Sequence, residues 1–166
     1  MIHYKSAKEI EAMREGGAIL QEVVQEILPQ VKPGITTNSI DRLAQSAIKR
    51  RGADLSFNKV GGYKWAICAS VNAQLVHTPP SDYQLKNGDV LTIDIGVYYK
   101  GFHTDFATTF IVGVNNDPKL HKFLKVGKDA LTEALAQVKV GNYVGDVSQV
   151  FQDKIEGAGY SIVKRL

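Results

Sequence analysis

A pattern of two helices joined by a short turn occurs twice in the chain, and the two copies lie about a hundred residues apart. The first copy turns at residues 31–34 (Val-Lys-Pro-Gly), and the second turns at residues 138–141 (Val-Lys-Val-Gly). A glycine follows the second helix in each copy, Gly52 in the first and Gly159 in the second. Because a repeated order of elements at one spacing is typical of duplicated units, the pattern predicts two related halves. Two unrelated helical hairpins remain the alternative.

Capping and turn residues set the limits of four predicted helices. Ser6 and Glu9 form a capping box before a series of apolar residues at helical spacing, which predicts a first helix over residues 7–28. Similar signals predict a second helix in the first copy and two helices in the second copy, with caps and stops at Thr36, Gly52, Asp117, Pro118 and Gly159.

Three β-rich segments lie between the two copies, at residues 65–71, 90–99 and 102–112. The second copy reaches residue 166 without a counterpart of these strands, so the second repeat is incomplete. The sequence therefore predicts one α+β domain over residues 1–166, built around an antiparallel sheet. Its first helix–helix–strand repeat covers about residues 6–115, and its incomplete second repeat covers about residues 116–166.

The last two of these segments are interpreted as a hairpin with aspartates on one face. Side chains alternate between the two faces of a strand, so Asp94 points away from the apolar residues of its own strand. A turn centred between Tyr99 and Lys100 would place Asp94 directly across from Asp105 on the same face. The apolar side chains would then be buried against the helices on the other face, namely those of Leu91, Ile93, Ile95 and Phe106.

The two aspartates predict a metal site. Aspartate is disfavoured inside strands, and like charges that face each other across a hairpin destabilise it. A divalent cation would remove this conflict, because hard metal ions bind carboxylate oxygens and two such ions can share bridging carboxylates. The alternative is that both carboxylates are solvated on the exposed face of a one-sided sheet.

Two histidines are candidates for the same site. His77 follows the first strand in a loop that continues with Thr78, Pro79 and Pro80. Although a lone histidine is more often structural, a rigid prolyl loop could hold its imidazole over the aspartates. His103 points to the face of the aspartates but lies near the turn, where it is at most an accessory to the site.

Composition argues against several classes of function. The single cysteine, Cys68, leaves no internal disulfide and indicates a reducing cytoplasm. No apolar run is long enough to span a membrane, and no secretory signal is visible at residues 1–6. The net charge is +3, and the basic clusters at residues 49–51 and 164–165 lack interleaved aromatic residues, which argues against nucleic-acid binding. These features predict a cytoplasmic protein.

Five segments carry a recognisable combination of motifs. They are Lys-Glu-Ile-Glu-Ala-Met-Arg-Glu-Gly-Gly at 8–17, Val-Lys-Pro-Gly-Ile-Thr-Thr at 31–37, Ile-Cys-Ala-Ser-Val-Asn at 67–72, Asn-Gly-Asp-Val-Leu-Thr-Ile-Asp-Ile-Gly-Val at 87–97 and Gly-Phe-His-Thr-Asp at 101–105. Together they resemble the type I methionine aminopeptidases along essentially the whole chain. The resemblance implies the pita-bread fold of that family, a pseudo-twofold pair of helix–helix–strand units around a curved antiparallel sheet.

The resemblance also implies a function and a set of site residues. It implies a metal-dependent aminopeptidase that removes the initiator methionine from nascent polypeptides, with two divalent ions (cobalt, manganese, iron, zinc or nickel) in the complete site. By this resemblance Asp94 and Asp105 are metal ligands, and His77 is a catalytic residue that hydrogen-bonds the substrate. Tyr63 and Cys68 match positions that line the methionine pocket, where sulfur and an aromatic edge suit a thioether. Ordinary core filling is the alternative for Cys68.

The chain departs from the family pattern in three places. His77 is followed by Thr-Pro-Pro where the family usually has Gly-Ile-Pro, so its loop is stiffer, and Val60 stands where a tyrosine is common. The family continues beyond Tyr-Ser-Ile-Val at residues 160–163 into a histidine ligand and two glutamate ligands, one of them the general base.

We therefore expect residues 1–166 alone to be inactive, and the unfinished sheet to favour self-association. The alternative functions are a proline-specific dipeptidase of the same fold and a non-catalytic binding module.

Overall fold

The computed structural model describes residues 3–163 and consists of two compact units, Met1–Asn115 and Asn116–Leu166. The basic pair at residues 164–165 lies outside the described residues. That the two repeats form a single domain stays a prediction, and each unit is therefore described by itself.

The first unit begins with two helices whose limits follow from their caps. Helix α1 spans Ala7–Ile27, and Ser6 and Glu9 form the predicted capping box at its start. Helix α2 spans Thr37–Arg50, and the side chain of Thr36 accepts a hydrogen bond from the backbone of Ser39. Gly52 follows α2 with φ of 70°, a left-handed conformation that glycine adopts without strain. Both predicted helices are thus confirmed to within a residue or two.

A four-stranded antiparallel sheet packs against these helices. Its strands are β1 (Asp54–Leu55), β2 (Ile67–Val71), β3 (Val90–Tyr99) and β4 (Phe102–Ile111). Strand β3 pairs with all three of the others. Because β4 pairs with β3 along its whole length, β1 and β2 share the opposite edge of β3. The sequence pattern predicted the last three strands and missed β1, which is too short to show any alternation.

The predicted centre of the β3–β4 hairpin is one residue too early, so the predicted partner of each residue is wrong by two positions. The turn is formed by Lys100 and Gly101, both at positive φ (48° and 90°), and Tyr99 pairs with Phe102. A two-residue turn of this kind matches the twist of the flanking strands, which a turn centred one residue earlier would not have done. The hairpin is therefore centred between Lys100 and Gly101, so that Asp94 lies opposite Ala107 and Asp105 lies opposite Gly96.

The apolar face of the sheet forms the core with α1 and α2. Leu91, Ile93 and Ile95 are at most 1% exposed, as predicted, because they face these helices. The prediction for Phe106 is wrong, since this side chain is 39% exposed. Phe106 lies on β4, which pairs only with β3 within residues 3–115, so its outer side is not covered by another strand of this unit.

The second unit is a pair of helices. Helix α3 spans Pro118–Leu135 with Asp117 as its N-cap, and helix α4 spans Val144–Gly157. Gly159 follows with φ of 86°, so both predicted helices and the glycine stop are present. Lys154 of α4 forms an ion pair with Glu133 of α3. Among the described helices of both units, none is long and apolar enough to cross a membrane.

Candidate metal centre and side-chain pocket

A cavity of about 350 Å³ in the first unit contains the residues that the sequence singled out. One side of the cavity is acidic and the rest is mainly apolar and aromatic. The structure brings all five predicted site residues together there and adds two more, so that the lining consists of Phe57, Val60, Tyr63, Cys68, His77, Asp94 and Asp105.

The two aspartates lie on the same face of the sheet, one step apart on the diagonal. Asp105 is opposite Gly96, and Asp94 is two residues before Gly96 on the same side of β3. Diagonal neighbours of this kind are about 7–8 Å apart between Cα atoms, within reach of a shared ion. The shared face was thus predicted correctly, although the direct pairing was not.

The electrostatics of Asp94 fit a cation site. Its Oδ1 atom is buried and has no hydrogen-bond partner among the described residues. Burial, followed by the charge and hydrogen bonding of Asp105, raises the pKa of Asp94 to about 6, and the nearby His77 opposes this shift. A buried carboxylate oxygen without a donor is costly, and a neighbouring carboxylate adds repulsion. A divalent cation would satisfy the oxygen and offset the repulsion, so the donor set fits a hard metal ion.

His77 reaches the cavity from a loop with a strained backbone. Its φ is 53°, a left-handed value that costs a non-glycine residue on the order of 1–3 kcal/mol. The next residue, Thr78, anchors the loop to β2, because its carbonyl oxygen accepts the N–H of Ala69 at 2.9 Å. The Thr78 hydroxyl also accepts a hydrogen bond from Ser70 at 3.1 Å. The imidazole is exposed, and the anchored loop holds it at the rim of the cavity.

Cys68 and Tyr63 form the part of the wall next to Asp94. Cys68 is 5% exposed and lies directly opposite Asp94 across the β2–β3 pair. The Tyr63 hydroxyl donates to the Ile67 carbonyl at 2.7 Å and lies 3.2 Å from the Cys68 sulfur. Burial raises the pKa of both Cys68 and Tyr63, so that thiol and phenol are neutral groups in this wall. Cys68 is therefore buried and also lines the cavity, and its role in binding a side chain stays a prediction.

Two contributors to the site were not predicted from the sequence. Phe57 lies in a short 3₁₀ turn, Phe57–Lys59, and its ring meets the ring of Tyr63 edge-on at 6.2 Å. A turn of three residues has no periodicity, and only the glycine at position 96, which leaves room for the ring, could have indicated it. The other is Asp41 of α2, a buried carboxylate behind the wall that accepts the Ala66 N–H at 2.7 Å.

His103 is hydrogen-bonded to another side chain of the first unit. Its Nδ1 atom lies 2.8 Å from the Ser56 hydroxyl, and its ring packs against that of Tyr98. In the part of the chain that the structure describes, no group of three or more histidine, cysteine, aspartate or glutamate side chains could hold a metal ion. Among the described residues, Asp94 and Asp105 are thus the only candidate pair of metal ligands in the cavity, without a third donor.

Known proteins that resemble this chain are metallopeptidases. Residues 11–166 match the model of metallopeptidase family M24. The chain is 38% identical over 164 residues to a methionine aminopeptidase of Clostridium perfringens, and 38% identical over 165 residues to methionine aminopeptidase 1 of Bacillus subtilis. Each match covers 99% of this chain and 66% of the relative. The crystal structure of methionine aminopeptidase from Rickettsia prowazekii superposes with a TM-score of 0.94 at 31% identity, covering 99% of this chain and 66% of that one.

Proposed function

The chain belongs to metallopeptidase family M24 and has the pita-bread fold. From this premise we propose that its function is that of a methionine aminopeptidase, which removes the N-terminal methionine of polypeptides. The observation that carries the proposal is the unpartnered buried oxygen of Asp94, next to Asp105 and beside an apolar pocket. The chain spans 66% of the length of the relatives named above. The proposed substrates are the N-termini of nascent polypeptides in the cytoplasm.

Asp94 and Asp105 are the residues that would hold the metal. We propose a divalent ion of the cobalt, manganese, iron, zinc or nickel type, with two ions in the complete centre. When bound, such an ion lowers the pKa of a coordinated water and polarises the substrate carbonyl. The two carboxylates would hold the ion on one face of the sheet. The burial of Asp94 keeps bulk water from its Oδ1 atom.

The remaining residues of the cavity would bind the substrate. The exposed imidazole of His77 stands at the rim, where it would donate a hydrogen bond to the first peptide group. The wall of Tyr63 and Cys68 would take the methionine side chain, because a thioether makes favourable contacts with sulfur and aromatic edges. The neutral thiol and phenol suit an uncharged side chain.

Metal titration tests this assignment directly. Calorimetry with Mn²⁺ should give weak binding to residues 1–166, with a dissociation constant on the order of 10⁻⁴–10⁻³ M, as expected for a sparsely ligated site. Asp94→Asn and Asp105→Asn should each abolish it, because each removes one of two charged donors. Asp82→Asn is the matched control, since Asp82 is exposed and bonded to Asn38. Equal binding by all four proteins would rule out the proposed ligands.

Methionine release from a Met-Ala-Ser peptide with added Mn²⁺ is the second arm of this experiment. Residues 1–166 should release methionine no faster than buffer, because two carboxylates without a general base leave out a contribution of about 10²–10⁴ in rate. Robust turnover that is lost in Asp94→Asn would contradict this ligand count. It would mean that a second copy supplies the missing donors.

The sheet of the first unit has an edge through which the chain could associate with a second copy. Strand β4 has a free outer edge within residues 3–115, and a free edge offers backbone groups that can pair with another chain. The mild net charge of +3 gives little repulsion between copies. We therefore propose that the edge of β4 pairs with the same edge of a second copy.

A further inference from the structure

Ser56 connects the pocket wall to the strand pair that carries the aspartates. It is 6% exposed, and its N–H donates to the Gly96 carbonyl of β3 at 3.3 Å. Its hydroxyl lies 2.8 Å from the Nδ1 atom of His103 on β4. The ring of His103 is itself fixed against Tyr98, its cross-strand partner, with ring centroids 4.7 Å apart. Ser56 is therefore bonded to both strands immediately before Phe57 in the chain.

Gly96 supplies the space in which this segment sits. A Cβ atom at position 96 would lie 2.6 Å from the Cβ atom of Ser56 and 2.9 Å from the Cε1 atom of Phe57. Atoms do not approach so closely without moving, so only glycine allows both residues to rest on the strand. Gly96 faces Asp105 across the hairpin and lies on the same side of β3 as Asp94. The ring of Phe57 is thereby placed beside the two carboxylates.

Phe57 continues the aromatic wall of the cavity. Its ring meets that of Tyr63 at an interplanar angle of 73°, and both rings line the cavity with Cys68. The 3₁₀ turn that carries Phe57 is only three residues long and leads to the glycine pair at residues 61–62. Its exposed Lys59 lies over the ring of Tyr98, which is a weak contact at the surface. The bonds of Ser56 are thus the buried anchor of this part of the wall.

We propose that His103, Ser56 and Gly96 are positioning residues that fix Phe57 and so determine which N-terminal side chain the pocket admits. The inference about substrate rests on the proposed peptidase function, whereas the placement of Phe57 does not. Loss of the bond between His103 and Ser56 releases the turn, moves the ring of Phe57 from its seat on Gly96, and widens the cavity beside Asp94 and Asp105. This gives His103 a role that needs no metal.

The single cysteine provides a reporter for the width of this pocket. Cys68 lines the same cavity as the rings of Phe57 and Tyr63, so alkylating reagents of different size measure the opening. We would measure the rate of alkylation of the full chain with iodoacetamide and with the bulkier N-phenylmaleimide, and use the ratio of the two rates. The variants are His103→Asn, whose amide reaches the position of Nδ1, and His103→Gln, whose amide reaches that of Nε2 instead. His3→Gln is the matched control, because His3 is exposed and contacts Glu9.

The expected result separates these variants. His103→Gln should raise the ratio of maleimide to iodoacetamide rate about fivefold, the effect of losing one ordinary hydrogen bond, and His103→Asn should restore the wild-type ratio. His3→Gln should leave it unchanged. Gly96→Ala should raise the ratio as well, since the added Cβ displaces Ser56 and Phe57.

Several results would overturn the proposal. A wild-type ratio in His103→Gln would show that the bond does not hold the wall. Equal increases in His103→Gln and His103→Asn would assign the effect to ring packing instead of the hydrogen bond. Equal acceleration of both reagents would indicate general loosening of the unit. Alkylation requires neither metal nor turnover, so a failed metal titration would remove only the substrate interpretation and leave the placement of Phe57 intact.

Discussion

Asp41 is a buried charge that supports the pocket from behind. The side chain is 3% exposed, and its oxygens accept hydrogen bonds from the N–H groups of Ala66 and Ile67 and from Gln45. Burial raises the pKa of Asp41 above its ordinary value of 3.8, because these neutral donors only partly offset the loss of water. The carboxylate thus holds the start of β2, and with it Cys68, at a cost in stability when it is ionised.

The cost makes stability depend on pH at this residue. Because the folded-state pKa is raised, the folded chain binds the proton of Asp41 more tightly than the unfolded chain does. Its contribution is therefore fully present below the unfolded pKa and is lost as pH rises through the folded pKa. Relative to Asp41→Asn, which keeps a carbonyl oxygen for Ala66, the free energy of unfolding of the wild type should fall as pH rises from the ordinary value of 3.8 through the raised folded-state pKa.

Urea denaturation followed by circular dichroism at several pH values measures this difference. Asp82→Asn serves as the control, since Asp82 is exposed. A difference between wild type and Asp41→Asn that stays constant with pH, or grows as pH rises, would contradict the expected sign.

Residue types alone predicted part of the site. The face shared by Asp94 and Asp105 follows from the alternation of side chains along a strand, which is a local property. The left-handed backbone of His77 and the cost of burying Asp41 depend on contacts made by distant segments, such as Thr78 with β2 and α2 with β2. These features could not be predicted from the pattern, because nothing near them in the sequence determines them.

At the scale of elements, local signals determined the limits of the helices but not the register of the hairpin. A cap is formed by residues three positions apart, so Ser6 and Glu9 predicted the start of α1 directly. The register depends on the backbone of the turn, where lysine stands at a position that asparagine or aspartate usually occupies. The turn was expected near Lys100 and Gly101, but lysine did not indicate which position of the turn it occupies, and the predicted centre of the hairpin was one residue too early.

The same turn offers a way to stabilise the hairpin. Lys100 has φ of 48° and forms an exposed ion pair with Glu15. Lys100→Asn should raise the free energy of unfolding by roughly 0.5–1 kcal/mol, because asparagine tolerates the left-handed region and the lost ion pair contributes little. Thermal or urea unfolding measures the change.

Lys100→Ala is the matched control for this change. It removes the same ion pair but keeps a residue that disfavours positive φ, so it should leave stability unchanged or lower it slightly. If both substitutions stabilised the chain equally, relief of backbone strain would not be the cause.

At the scale of the whole molecule, the two edges of the sheet differ in how far their backbone groups are hydrogen-bonded. The N–H groups of Ile67 and Val71, which point outward from β2, are bonded to the side chains of Asp41 and Gln74. Ala69, between them, donates to the Thr78 carbonyl. Every outward N–H of β2 that could recruit another strand is therefore occupied. Strand β4 has ten residues and, within residues 3–115, pairs only with β3.

This asymmetry predicts where copies of the chain would associate. The pairing of Tyr99 with Phe102 directs the backbone groups of the odd-numbered residues of β4 away from β3, and Thr109 is one of these and is exposed. Sedimentation velocity should show a weak dimer of residues 1–166, with a dissociation constant on the order of 10⁻⁴ M, as for a small interface. Thr109→Lys should abolish it, because a charged lysine on an edge strand opposes pairing.

Thr132→Lys is the control for this experiment. Thr132 is exposed on α3, so the substitution changes the net charge equally without touching the edge. Dimerisation should persist in Thr132→Lys if the edge of β4 is the interface. Loss of the dimer in both variants would assign association to net charge, and its survival in Thr109→Lys would exclude β4. The outward N–H groups of β2 are already bonded, so they would not take its place.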